Sequence, residues 1–496
     1  MKSLLTAFRP GRPVRPLRFW TLVGALILLG GCGGESEPSS VPPSASSSEL
    51  PSASSGVEEI PSDATGASEE VPDLEDVATL RKADIERDPS PGTEGLEELG
   101  AALADFSFDL LRALLEIEEE REGEDGDEEE ESILFSPISL MYPLTALWEG
   151  SLPPTRGELH AGLRMRLEDE ALHEAMNALE QALGSPTEDA ALRNTNAVWL
   201  AERFRVNPDW LAVLARHYGS GVYQADFRDE AVREAVVLAL NEWVSHHTQG
   251  LIPTLLRNSD ISETTALILV NALYLRDAWR MPFDPERTEA GAPVFRTLDG
   301  STVEAHMMRN LSDHHAYAEV EGVQVVSLPL AELPVDALVV LPSEGEEDAF
   351  LSGLDATVLR SLRSGLRNQR GLVQLPRLRL EASPDVFTAL QGPMGLEEPF
   401  RAGDYLGLGS PDPGSGADAL RVSRIGHKAV LELDESGVEA AAATVVVVAE
   451  TGSSREPEEP FDFRADRPFL LLLVHRHSDA PLFVAWVRRP TSGGAN

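Results

Sequence analysis

Cysteine is all but absent from these 496 residues: Cys32 stands alone. No disulfide can form within one chain, so packing alone must hold whatever fold the sequence adopts. Basic residues are scarce as well, 41 Lys and Arg against 83 Asp and Glu, and a formal net charge of −42 argues against nucleic acid as a partner. No apolar run reaches the ~20 residues a membrane-spanning helix needs. Enzyme signatures are missing too. There is no Gly-x-Ser-x-Gly elbow and no His-Glu-x-x-His, so hydrolase chemistry on those templates is excluded.

What is present divides the chain. Lys2, Arg9, Arg12, Arg15 and Arg18 give residues 1–31 a basic start, and the apolar stretch from Phe19 ends in Leu29-Gly30-Gly31-Cys32. This reads as a signal peptide closing on a lipobox, in which the thiol of Cys32 receives lipid before cleavage. The alternative for Cys32 is a free or buried thiol. Gly33 is not the Asp that retains lipoproteins at an inner membrane, so the expected location is the bacterial envelope, on the outer-membrane side, or the exterior.

Residues 32–95 are rich in Ser, Pro, Glu and Asp without apolar periodicity, the composition of a disordered tether. About 60 flexible residues hold a domain roughly 40–50 Å from its anchor. The acidic run Glu116 to Glu131 reads as a solvated loop. A globular domain is expected over 96–490 and a tail over 491–496.

Within that domain, Leu103, Phe106, Leu110, Leu111 and Leu114 recur at helical spacing. Further helices are expected near 157–183, 208–219, 228–248 and 346–366. Strand-like runs fall at 194–200, 264–276, 323–329, 336–342, 372–380, 427–433, 440–449, 468–477 and 482–488. Helices early and strands late indicate an α+β fold with mainly antiparallel sheets.

The stretch from Gly437 reads Gly-Val-Glu-Ala-Ala-Ala-Ala-Thr-Val-Val-Val-Val-Ala. As a strand, one face carries Val438, Ala440, Ala442, Thr444, Val446 and Val448; the other carries Glu439, Ala441, Ala443, Val445, Val447 and Ala449. Only the second holds a charge, so the first can be buried without stranding one. A permanent core strand or an alanine-rich helix would also suit this composition. Its position before a Gly, Ser, Pro and acid-rich stretch, Glu450 to Pro460, points instead to an exposed segment able to complete a sheet.

Ordered segments along 96–490 resemble the serpins. They are Phe135-Ser136-Pro137-Ile138-Ser139-Leu140, Asn196-Ala197-Val198-Trp199-Leu200, Asn241-Glu242-Trp243-Val244, Thr248-Gln249-Gly250-Leu251-Ile252-Pro253, Val270-Asn271-Ala272-Leu273-Tyr274, Leu375-Pro376-Arg377, His427-Lys428-Ala429-Val430, Asp434-Glu435-Ser436-Gly437 and Ala465-Asp466-Arg467-Pro468-Phe469. The resemblance implies helices around three mainly antiparallel sheets with an exposed reactive-centre loop. It implies an inhibitor with no catalytic residue and no cofactor, a monomer whose partner is a serine-type protease. Cleavage of the loop inserts it as a new strand and carries off the acylated enzyme; fifteen extended residues span roughly 50 Å. The alternative is a surface protein of the same fold that binds without inhibiting.

The same resemblance marks the loop hinge as Glu435, Gly437, Val438, Glu439, Ala440, Ala441, Ala442 and Ala443. It marks a shutter beneath the sheet, Ser136, Ser139, Asn271 and His427, and Trp279 at the breach where the loop goes in. Family spacing counted from Glu435 gives Thr451-Gly452 as the reactive bond, which suits an elastase-like or subtilisin-like enzyme; the alternatives are a neighbouring bond within 448–453 and Arg455-Glu456, the latter suiting a trypsin-like one. Val438 stands where the family usually has Thr or Ser. The Gly-rich stretch 403–417 lacks the setting of a phosphate loop and reads as an insertion. His246-His247 and His314-His315 are adjacent pairs with no completing ligand, so no metal site is expected.

Overall fold

The computed structural model describes residues 74–125, 131–184, 187, 190–401, 404–414, 420–438 and 459–490. The expected α+β architecture is present. A seven-stranded sheet has the order β1 (Thr79–Arg81), β5 (Val222–Ala225), β3 (Ala191–Ala201), β6 (Leu267–Ala278), β15 (Gly437–Val438), β14 (Val422–Leu433) and β12 (Leu378–Ala382). A second sheet runs β16 (Phe461–Arg464), β11 (Arg367–Pro376), β8 (Thr302–Val320), β9 (Val323–Pro329), β10 (Val335–Leu341), β17 (Phe469–His475), β18 (Pro481–Val487) and β2 (Ile133–Phe135), with β7 (Glu289–Arg296) also on β8. A third pairs β13 (Gly409–Pro411) with β4 (Phe204–Val206). Most pairs are antiparallel, but β3–β5, β6–β14 and β11–β16 are parallel.

The core lies in the second sheet, where every residue of β10, β17 and β18 is buried and all but Asp336 and His475 are apolar. Such continuous Val and Leu runs are the mark of strands covered on both faces. Around the sheets lie α1 (Leu96–Asp125), α2 (Pro137–Glu149), α3 (Thr155–Gly162), α4 (Asp169–Ala182), α5 (Pro208–Tyr218), α6 (Glu230–His247), α7 (Glu347–Ser352), α8 (Ala356–Gly365) and α9 (Val386–Gln391).

Several expectations change. The tether ends sooner than residue 95. β1 adds a strand to the edge of the first sheet, Leu74 is buried, and Arg87 bridges Asn177 (2.8 Å) and Glu180 (2.7 Å) of α4. The few apolar side chains there, too sparse to register as a period, are enough once the sheet edge supplies backbone partners. The expected loop from Glu116 is helical as far as Asp125, since α1 continues through it; Glu118 pairs with Arg488 of the adjacent C-terminal segment.

The helix expected over 157–183 is two, broken where Arg164 and Asp169 take positive φ. That over 346–366 is also two, the second begun by Asp355, whose carboxylate accepts from the amide of Val358. The strand expected over 372–380 divides at Arg377 between two sheets. The Gly-rich stretch contributes β13, so its described part is woven onto β4.

Candidate functional site

The site is built where β6 and β14 run side by side. Over Val422–Lys428 the two strands pair directly, with His427 opposite Asn271. Toward their C-terminal ends they part, and β15 lies between them: Gly437 and Val438 face Ala278 and Asp277 on β6, and Val438 faces Leu433 on β14. The sheet is therefore closed at its foot and wedged at its mouth by two residues.

Local chemistry makes that wedge. Asp434 ends β14, and its carboxylate accepts from the amides of Ser436 (2.7 Å) and Gly437 (3.1 Å), which folds the chain back. At Gly437 a Cβ would overlap the carbonyl of Asp277, so only glycine lets β15 approach β6 this closely. Val438 is buried. Trp279 brackets the turn, its indole N–H donating to the carbonyl of Asp434 and its backbone N–H to that of Ser436, both at 2.8 Å.

Glu435 is held from the other side. Arg377 donates to its carboxylate from Nε (2.9 Å to each oxygen) and pairs at 2.7 Å, while the hydroxyl of Thr288 donates to Oε1. Burial alone would raise this carboxyl, but the donors from Arg377 and Thr288 outweigh it and hold the pKa below the ordinary value. Asp277 goes the opposite way. Burial raises it although Leu333 and Glu332 donate backbone N–H groups to it.

At the foot, Ser136 caps α2 and its amide donates to Nε2 of His427 at 3.1 Å; its hydroxyl donates to the carbonyl of Leu482. The Ser139 hydroxyl reaches Asn194 at 3.4 Å, and the amide of Asn271 donates to Asn196. Burial drives the His427 pKa down to about 3, so the ring is neutral. With Nε2 accepting, the proton sits on Nδ1. That N–H has no hydrogen-bond partner among the described residues, nor has Oδ1 of Asn271 or the amide nitrogen of Asn194.

Ser136, Ser139, Asn271 and His427 thus lie together at the foot, and Trp279, Glu435, Gly437 and Val438 at the mouth. Glu439, Ala440, Ala441, Ala442, Ala443, Thr451, Gly452, Arg455, Glu456 and Cys32 lie outside the described residues. Sequence reading assigned no role to Asn194, Asn196, Asp277, Thr288, Arg377 or Asp434. The spacing of Asn194 and Asn196 was an available signal, since two amides two residues apart share one face of a strand. Arg377 and Thr288 join Glu435 only through the fold.

An α+β protein whose seven-stranded sheet is wedged at one end by a strand of two residues belongs to a recognisable class, and its sequence agrees. The family model described as serpin (serine protease inhibitor) matches residues 101–490. The chain belongs to the serpin family. It is 28% identical over 396 residues to an uncharacterized serpin-like protein of Thermococcus kodakarensis, across 79% of this chain and 86% of that one. The structure of the thermophilic serpin tengpin in its native state superposes with a TM-score of 0.71 at 22% identity, covering 83% of this chain and 99% of tengpin. Human thyroxine-binding globulin, solved in complex with thyroxine, superposes at 0.66 with 26% identity over 80% of this chain and all of that one.

Proposed function

We propose that this chain inhibits a serine-type protease by suicide cleavage, its loop entering the seven-stranded sheet between β6 and β14. The observation that carries the reading is β15, a strand begun in a gap the sheet has not filled. Continued residue by residue past Val438, the register on β6 and the register on β14 both bring Thr444 between Asn271 and His427. Ala440 and Ala442 then share the core side with buried Val438, and Glu439 faces outward. The unpartnered Nδ1 and Oδ1 at the foot would gain a hydroxyl between them. The expected enzyme is elastase-like or subtilisin-like, cutting at Thr451-Gly452, with a trypsin-like one at Arg455-Glu456 as the alternative. The expected setting is a lipid anchor on Cys32 at the cell envelope.

A second reading rests on the likeness to thyroxine-binding globulin: a serpin-fold surface protein that binds a ligand without inhibiting. One cut within 445–455 separates them. Insertion raises the melting temperature of the cleaved protein far above that of the intact one; unchanged melting would remove the inhibitory reading and leave the second.

A further inference from the structure

Two buried histidines, His173 of α4 and His217 of α5, lie with ring centroids 5.6 Å apart. They are bonded very differently. His173 has both nitrogens engaged, Nδ1 with the Tyr218 hydroxyl at 2.6 Å and Nε2 with the Glu149 carboxylate of α2 at 3.2 Å. Burial raises the pKa of Tyr218, so that hydroxyl keeps its proton, and Arg156 of α3 stands 3.7 Å from Glu149. Neither nitrogen of His217 has a hydrogen-bond partner among the described residues. Glu170 of α4 comes within 3.3 Å of its Nε2, but that carboxylate is more than half exposed and stands 4.0 Å from Arg216.

A buried imidazole without a hydrogen bond is tolerated only while it is neutral. Burial lowers the His217 pKa, and His173 and Arg216 act the same way, against the pull of Glu170 and Asp88. A proton taken up there places a charge between two packed helices, beside a second imidazole.

The same two helices hold the stretch from Lys82 to Asp88. On α4, Arg87 bonds Asn177 at 2.8 Å and Glu180 at 2.7 Å, and the side-chain amides of Asn177 and Gln181 donate to the Asp88 carbonyl at 3.0 and 2.8 Å. At the end of α5, the Asp88 amide donates to the carbonyl of Arg216, and Lys82 to that of Gly219, both at 2.8 Å. Asn177 is one turn beyond His173, while Arg216 and Gly219 flank His217 and Tyr218. The stretch is therefore a strap bonded to both helices across the seam that the imidazoles occupy, and α4 and α5 cannot part without breaking it.

We infer that His173 and His217 form an acid-sensitive latch beneath this strap: a proton on His217 separates α4 from α5 and frees Lys82 to Asp88, while the large sheets stay closed. The latch uses no group at the mouth or foot of the seven-stranded sheet. Its release lengthens the free chain ahead of α1 by the residues of the strap.

The test is hydrogen exchange by mass spectrometry on the intact full chain at pH 7.5 and 5.0, each rate divided by the intrinsic rate at that pH. A histidine that titrates at the ordinary 6.5 once released sets a ceiling of about thirtyfold at pH 5.0. In the wild type, protection in α5 and at Asp88 should fall at least about fivefold, with β18 still protected. His217→Phe fills the site with a ring that takes no proton and should show no such fall; His217→Gln serves where the phenylalanine does not fold. An equal fall in wild type and variant, or no fall in the wild type, overturns the latch. So does a wild type in which β18 loses its protection together with α5, because the opening is then global.

Discussion

Arg377 and Glu435 meet at the mouth of the sheet with Nε of the arginine 2.9 Å from each carboxylate oxygen, one residue before β12 and two residues after β14. The pair ties the strand on one side of the gap to the turn that produces the wedge. Glu435→Lys sets two cations against each other there. Breaking a fully buried pair costs about 3–5 kcal/mol, and a third of the Arg377 side chain is exposed, so roughly 2–3 kcal/mol is expected after allowing for solvent screening. A urea titration checks this; a midpoint within error of wild type would show that the pair is dispensable.

His427 predicts the pH dependence. Its folded pKa of about 3 lies below the ordinary 6.5, so the native state binds fewer protons than the unfolded chain between those values. Stability is complete above about 6.5 and falls as pH drops toward 3, by about 1.4 kcal/mol per unit from this group. Other buried histidines add to the slope, among them His475, lowered to about 4 chiefly by burial. The difference between wild type and His427→Gln therefore isolates the residue. At pH 5 that difference should have moved by about 2 kcal/mol from its value at pH 7.5. Parallel curves would mean the ring is not buried neutral.

Ala442→Arg places a charge on the face that insertion must bury, at a cost of several kcal/mol. The intact variant should fold and melt as wild type does. With a target protease it should be cut as an ordinary substrate, and the yield of denaturant-stable complex should collapse. An undiminished yield would count against insertion.

Anchoring is tested at Cys32. Expressed in a bacterial host supplied with labelled fatty acid, the wild type should carry label and fractionate with membranes. Cys32→Ser should lose the label and either accumulate as uncleaved precursor or leave the membrane fraction. A labelled, normally processed Cys32→Ser protein would refute the lipobox.

The α+β class was legible, and so was the nearness of Ser136 to Ser139 and of Asp434 to Gly437, because each is local or carried by ordered motifs. The contacts that finish the site were not. Thr288 and Arg377 find Glu435 across 147 and 58 positions of chain, and no period or motif records such a meeting. β8, nineteen residues long, escaped because its alternation is interrupted by buried polar groups such as His315 and by its own bulge, where Asp313 and His314 stand opposite the single Arg370 of β11. α2 escaped for the opposite reason. Pro137 to Trp148 are all buried, so no polar face marks the helical repeat.

The order of the strands also sets a schedule. β2 finds its partner in β18, and the parallel strand opposite β6 is β14, so segments made early wait for the last part of the chain. Until those residues emerge, Ile133–Phe135 lacks its strand partner and Leu267–Ala278 is paired on one side alone, by β3. Such long-range pairing folds slowly and leaves sticky intermediates. For this protein the vulnerable interval is its own synthesis, and truncation near the C-terminus should yield aggregate rather than a smaller folded domain.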